Sequence, residues 1–365
     1  MTGQKRFRIK KRYLLIFVGL AIFIVYLFLF VPVGKTLATV RSFNPFYFSL
    51  AFCALIVSVV FYSLAWQRFL NLLCVDKASF LKAFQFVWVE NFVDLVIPGE
   101  PVSGEVSRIY LMSKDTGGDY GRVFASAVGQ RIATTCVTVV GLLASIVYFA
   151  FAYKPPLFVL LFAGVVLAGD IVLIVMLFYL AGRRRVTRGL AEWLFRTVTR
   201  ISRGRWTFEH LRDRVSRALD IFHDCMSTLG EHRRSLFLPV LFTVLSWISD
   251  VSIAILVFLS LGSVGTAVSL TSIIIVYTIT GAVQNLPIGV IPGEVGLTEI
   301  IMTTLFAAFN NPQFAFTYAA ATILIRILTF WTRLVISGAV VQVVGVKSLM
   351  PPQPTPVQNS VSPPQ

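Results

Sequence analysis

The sequence predicts an all-α fold, a polytopic membrane helix bundle built from two inverted repeats, each containing a broken, re-entrant helix pair. Three observations predict it. Of the 365 residues, 56% are hydrophobic and only 13% charged, and the mean hydropathy is +0.80; a soluble domain carries about 25% charged residues. Apolar stretches of the roughly 20 residues needed to cross a bilayer recur along the chain. One string, Asn-x5-Ile-Pro-Gly-Glu-x4-Glu, stands once in each half.

The elements follow in order. Residues 1–12 form a basic cytoplasmic N-terminus, with six Lys or Arg between Lys5 and Arg12. The apolar run 13–33 is followed by no small-x-small cleavage site, so it is expected to be an uncleaved anchor. A second span covers 46–70. Residues 78–96 and 102–112 are separately too short to be confident spans, and Pro98, Gly99, Pro101 and Gly104 interrupt them. A half-helix pair entering and leaving on one side fits, because broken backbone at membrane depth survives only where protein or a wet cavity surrounds it. Runs 121–151 and 156–181 go out and back, closing a first membrane half over 13–182. The linker 183–234 holds thirteen Arg against six Asp or Glu. Within it Leu211, Val215, Leu219, Phe222, Met226 and Leu229 share one helical face. That amphipathic helix either lies on the membrane surface or simply connects the halves. The second half, 235–346, repeats the plan: a span at 235–261, an interrupted pair at 268–287 and 295–309, and a return at 313–344. The tail 347–365 is proline-rich and expected to be disordered.

The net charge of +15 is concentrated in these basic blocks. In so apolar a chain they point to cytoplasmic loops against anionic headgroups, not to nucleic acid. The expected location is the cell membrane, multi-pass, with both termini cytoplasmic. Cys53, Cys74, Cys136 and Cys225 have no paired spacing, and all three histidines lie in the linker. Neither a metal nor a cofactor is expected.

The repeated string carries the candidate chemistry. NFVDLVIPGEPVSGE (Asn91 to Glu105) and NLPIGVIPGEVGLTE (Asn285 to Glu299) are identical at seven of fifteen positions without a gap. Arg131 and Arg326 follow the second Glu of each copy by 26 and 27 residues, both before Ile. Pro98, Gly99 and Gly104 in one copy, and Pro292, Gly293 and Gly296 in the other, break the helix and free backbone groups. A half-helix starting after such a break has a partly positive N-terminus that suits an anion. Arg108, Arg131 and Arg326 are the cations able to fork onto a phosphate. Asn91 and Asn285 open each copy as polar candidates for the same site. Glu100, Glu105, Glu294 and Glu299 have two readings: structural pairing with these arginines, or proton transfer during turnover. Asp170 and Asp250 lie inside spans as further partners or relay groups, and Arg333 sits nearer the end of its span, where it could snorkel.

At these residues the chain resembles a known family. The run IPGEPVSGEVSRIYLMSK is similar to the motif of archaeal proteins related to the membrane domain of lysylphosphatidylglycerol synthase, a group also described as flippase-like. PGEVGLTE resembles that family's second motif, and the likeness covers about 13–344. Carried over by position, it supports Pro98, Gly104, Glu105 and Arg108, then Pro292, Gly293, Gly296 and Glu299. Ser103 and Glu294 stand where many members have Gly, and the extra carboxylate makes the second site less electropositive. The resemblance implies a lipid translocase. It would move a phospholipid or polyprenyl-phosphate-linked lipid between leaflets through a polar cavity between the repeats. The alternatives are an intramembrane lipid-modifying transferase, a non-catalytic membrane partner of one, or an ion-coupled solute carrier. Expected partners are membrane lipids with an anionic headgroup or phosphate, with a second copy of the chain or a lipid-modifying enzyme as protein partner.

Overall fold

The computed structural model describes residues 38–75, 78–97, 99, 101–152, 156–201, 209–262, 265, 268–286 and 291–345. The predicted span 13–33, Pro98, Glu100, the basic N-terminus and the tail lie outside the described residues. Among the described residues all regular structure is helical. Five helices are long and apolar enough to cross a membrane: Pro45–Leu72, Tyr120–Tyr148, Leu157–Gly182, Arg234–Ser260 and Ala315–Val344. The chain is an all-α, multi-pass membrane bundle.

The first described long helix, α1 (Pro45–Leu72), starts where the Asn44 side chain accepts from the Phe46 amide and Pro45 occupies the first turn. It runs antiparallel to α8 (Phe237–Ser260). The Asn44 amide donates to the Ser260 carbonyl at 2.7 Å, and Ser246 Oγ donates to the Ser58 carbonyl at 3.1 Å. Small residues at this seam, including Ala51 and Ala254, let the two backbones approach closely.

Between the long helices lie two hairpins. In the first, α2 (Phe80–Val96) and α3 (Val102–Asp115) fold back on each other. Its base is closed by Lys82 Nζ, 2.5 Å from Asp115 Oδ2. In the second, α9 (Leu270–Asn285) and α10 (Leu297–Phe309) do the same, and Ser272 Oγ donates to Asn310 Oδ1 at 3.0 Å across the base. The first base follows the C-terminal end of α1, and the second follows the C-terminal end of α8. Because α1 and α8 are antiparallel, the two bases lie at opposite ends of the bundle and the tips point toward each other.

The remaining helices frame the tips. They are α4 (Tyr120–Ala152), α5 (Leu157–Gly182), α11 (Ala315–Arg326) and α12 (Arg333–Val344). A π-helical segment, Ile327–Thr332, joins the last two. The linker contains two helices where the sequence suggested one: α6 (Arg184–Ile201) and α7 (Glu209–Glu231). The apolar face of α7 packs on protein. Phe222 and Leu229 are buried, the Phe222 ring lies 4.9 Å from that of Phe124, and a Cβ at Gly121 would fall 2.6 Å from the Ala218 carbonyl. Ion pairs Arg184–Asp224 and Arg188–Asp220 tie α6 to α7.

Candidate functional site

Each tip is organised around an arginine from a long helix. At the second tip, Arg326 Nε donates to Glu299 Oε1 and its Nη2 donates to the Gly293 carbonyl, both at 2.7 Å. This one guanidinium therefore holds the start of α10 and the turn that precedes it. The turn needs its glycines. Gly293 has φ +60 and Gly296 φ +89, and a Cβ at Gly293 would lie 2.2 Å from the Phe330 ring. Glu299 Oε2 also accepts from the Gly296 amide at 2.7 Å, so the carboxylate caps its own helix. Glu294 is buried with φ +48 and accepts from Thr298 Oγ1 at 3.2 Å.

At the first tip, Arg131 from α4 meets Glu105 Oε1 at 3.2 Å, the counterpart of the Arg326–Glu299 pair. Its other arm reaches across the bundle and donates to the Asn285 carbonyl at the second tip. The start of α3 is capped from outside: Asp94 Oδ1 accepts from the Gly104 amide at 2.7 Å and from Ser103 Oγ at 3.0 Å. Gly104 is required here, since a Cβ would lie 2.3 Å from Asp94 Oδ2. Gly99 takes φ +111 in the turn before it.

Arg108 lies apart from both tips. It is fully buried, with Nη1 3.2 Å from Glu90 Oε2 and 2.9 Å from Gln130 Oε1. Its guanidinium carbon sits 4.6 Å from the centre of the Trp66 ring.

The tips border a polar cavity of about 270 Å³. Asn91, Asp94, Gln284, Asn285, Gly293 and Thr298 line it from the hairpins; Thr134, Thr138, Thr243, Ser246, Asp250, Arg326 and Arg333 line it from the long helices. Of the predicted residues, Asn91, Asn285, Gly293 and Arg326 face this space. Glu105, Arg131, Glu294 and Glu299 support the tips behind it, whereas Arg108 is held within the first half. Arg333 pairs with Asp250 Oδ1 at 3.0 Å and lines the cavity.

A family model for the lysylphosphatidylglycerol synthase TM region matches residues 16–337, which include both hairpins and the cavity. The chain belongs to the lysylphosphatidylglycerol synthase TM region family. It is similar to a UPF0104 membrane protein of Pyrococcus horikoshii, at 23% identity over 91% of this chain and 96% of the relative. Similar proteins of Methanocaldococcus jannaschii (24%, covering 85% and 88%) and Methanothermobacter thermautotrophicus (24%, covering 82% and 84%) carry the same description.

For this member of the synthase TM region family, the structure adds residues that the repeat did not reveal. Glu90 and Gln130 hold Arg108, Asp94 caps α3, and Asp250 holds Arg333. A charged residue inside an apolar span was the available signal for Asp250 and Glu90. No spacing connected either to its partner. The cavity's charged lining, Asp94 and Asp250 against Arg326 and Arg333, is formally balanced.

Proposed function

We propose that this protein moves a lipid between leaflets, with the headgroup in the polar cavity and the chains in an adjoining apolar groove. One observation carries this reading: the two spaces share a wall. Val137 and Trp247 border both the cavity and a groove of about 1070 Å³ that runs between α4, α5, α7 and α8. A polar chamber beside an apolar slot matches the two chemistries of one lipid.

The balanced lining narrows the headgroup. A phosphate would take Arg333, whose buried Nε has no hydrogen-bond partner, together with Arg326. Hydroxyls or an amine on the same headgroup would meet Asp94, Asp250 and Asn91. On this reading the two hairpins are re-entrant, inserted from opposite faces with the basic linker in the cytoplasm. Rocking one half against the other would then expose the cavity alternately. Proteoliposomes loaded with headgroup-labelled phospholipids and polyprenyl phosphates test it. Label should become accessible to an impermeant quencher faster than in protein-free vesicles, and Arg333→Gln should slow it. Equal rates with and without protein, across all those lipids, would sink the reading.

A further inference from the structure

Asp170 lies in the middle of α5, in the stretch LAGDIV. It is fully buried, and neither carboxylate oxygen has a hydrogen-bond partner. An ionised carboxylate in that state is several kcal/mol too costly to persist, so the group is either neutral or drawn to a cation. The helix packed along α5 is α4, which carries Arg131, the described cation whose field reaches Asp170. Among the described residues, the other helices packed on α5 bring no second charge to it. From the second tip, Leu286 packs on neighbouring Gly169, with a Cβ there 3.1 Å from the leucine methyls. From α7, His223 bonds the Ala181 carbonyl, at the far end of α5.

Arg131 bonds to both tips, through Glu105 on one and the Asn285 carbonyl on the other, beside the buried apolar contact of Leu95 with Val295. A neutral Asp170 leaves it there, and that is the arrangement in the structure. An ionised Asp170 competes for the same guanidinium and offers it a second carboxylate. We infer that Asp170 is an intramembrane proton-binding site, and that the proton it holds keeps Arg131 clamped across the hairpin tips. In the step, the Asp170 O–H bond breaks, the proton passes to solvent water, and Arg131 moves to the new carboxylate. The Asn285 carbonyl is then released, which leaves the apolar contact of Leu95 with Val295 between the tips. Protonation reverses the step. Coupling of that step to lipid movement rests on the translocase reading above; the proton site itself does not.

Two measurements on the full chain in liposomes test it separately. Infrared spectra at neutral pH should contain a buried protonated-carboxyl band that disappears in Asp170→Asn and shifts in Asp170→Glu. An identical band in wild type and Asp170→Asn would overturn the proton site. The glutamate variant keeps the test decisive if the asparagine variant does not insert. Second, an imposed pH gradient should change the wild-type rate of lipid movement by at least about fivefold, the low end of ordinary site coupling. Asp170→Asn should lose that response and Asp170→Glu should keep it. Lipid movement that ignores the gradient equally in wild type and Asp170→Asn would overturn the coupling. If wild type moves no lipid under any condition, the translocase reading fails and the infrared band still decides the proton site.

Discussion

The two copies of the repeated string have the same scaffold and different wiring. In both, an arginine from the long helix after the hairpin grips the second glutamate of the motif. The second copy spends the rest of its arginine on its own turn, through the Gly293 carbonyl, so that tip is closed on itself. The first copy sends the rest of its arginine to the opposite tip. It is also braced by a buried ion pair that the second copy lacks. In register, Gln284 and Met302 replace Glu90 and Arg108. The two copies of the string thus share the grip of arginine on glutamate, while the neighbouring positions make one tip self-contained and bond the other to its counterpart.

Substitutions can break this comparison, and the largest effect should come from the brace. Arg108→Ala leaves Glu90 buried without its cation, at a cost of about 3–5 kcal/mol. The folded fraction recovered in detergent should collapse. The double variant Glu90→Gln with Arg108→Met, which imitates the second copy, should restore most of it. Failure of the double variant would show that the difference between tips is not one of charge. Next, Arg326→Gln removes two hydrogen bonds from a charged donor within one tip, each worth about 1.5–3 kcal/mol. Denaturant titration should show a larger loss than for Arg131→Gln, whose ion pair with Glu105 is less buried. Gly293→Ala imposes a left-handed backbone and a clash with Phe330, at about 1–3 kcal/mol; adding Phe330→Leu should recover part of the loss in a thermal melt. The smallest change is Asp94→Asn, which keeps an acceptor but removes the charge from the α3 cap. It should cost about 1 kcal/mol or less, with little change in the melting midpoint.

The string itself made the hairpins legible. Its proline and glycines ended one helix, and the apolar runs on either side were too short to span. The 26- and 27-residue offsets placed Arg131 and Arg326 near Glu105 and Glu299, because each offset returns the chain along one long helix to the level of the tip. Arg108 was harder to read. Its position in the first motif suggested a ligand contact, but Glu90 precedes the repeated string, and Gln130 and Trp66 come from other helices. Arg333 and Asp250 are 83 residues apart, and pairing across helix faces leaves no spacing to read. The amphipathic face of α7 was visible in its periodicity, yet periodicity reports that a face is apolar and not whether lipid or protein covers it.

The π-helical segment Ile327–Thr332 has a consequence for how the last span is used. Arg326 and Arg333 are seven positions apart, which in an uninterrupted α-helix is close to two full turns and would stack them on one side. The wider turn between them advances the register, so the first guanidinium addresses the α10 turn and the second addresses Asp250 on α8. Thr332 Oγ1 bonds the Ile327 carbonyl within that wider turn, at 2.8 Å. Such a turn is a dislocation in an otherwise regular rod. Sliding it toward the C-terminus would re-aim the residues it passes, one after another, while those beyond keep their heading. Closing it to plain α geometry at the same length would swing the whole of α12 by about 100° and take Arg333 away from Asp250; deleting a single residue within it would erase the dislocation and leave Arg333 aimed at Asp250.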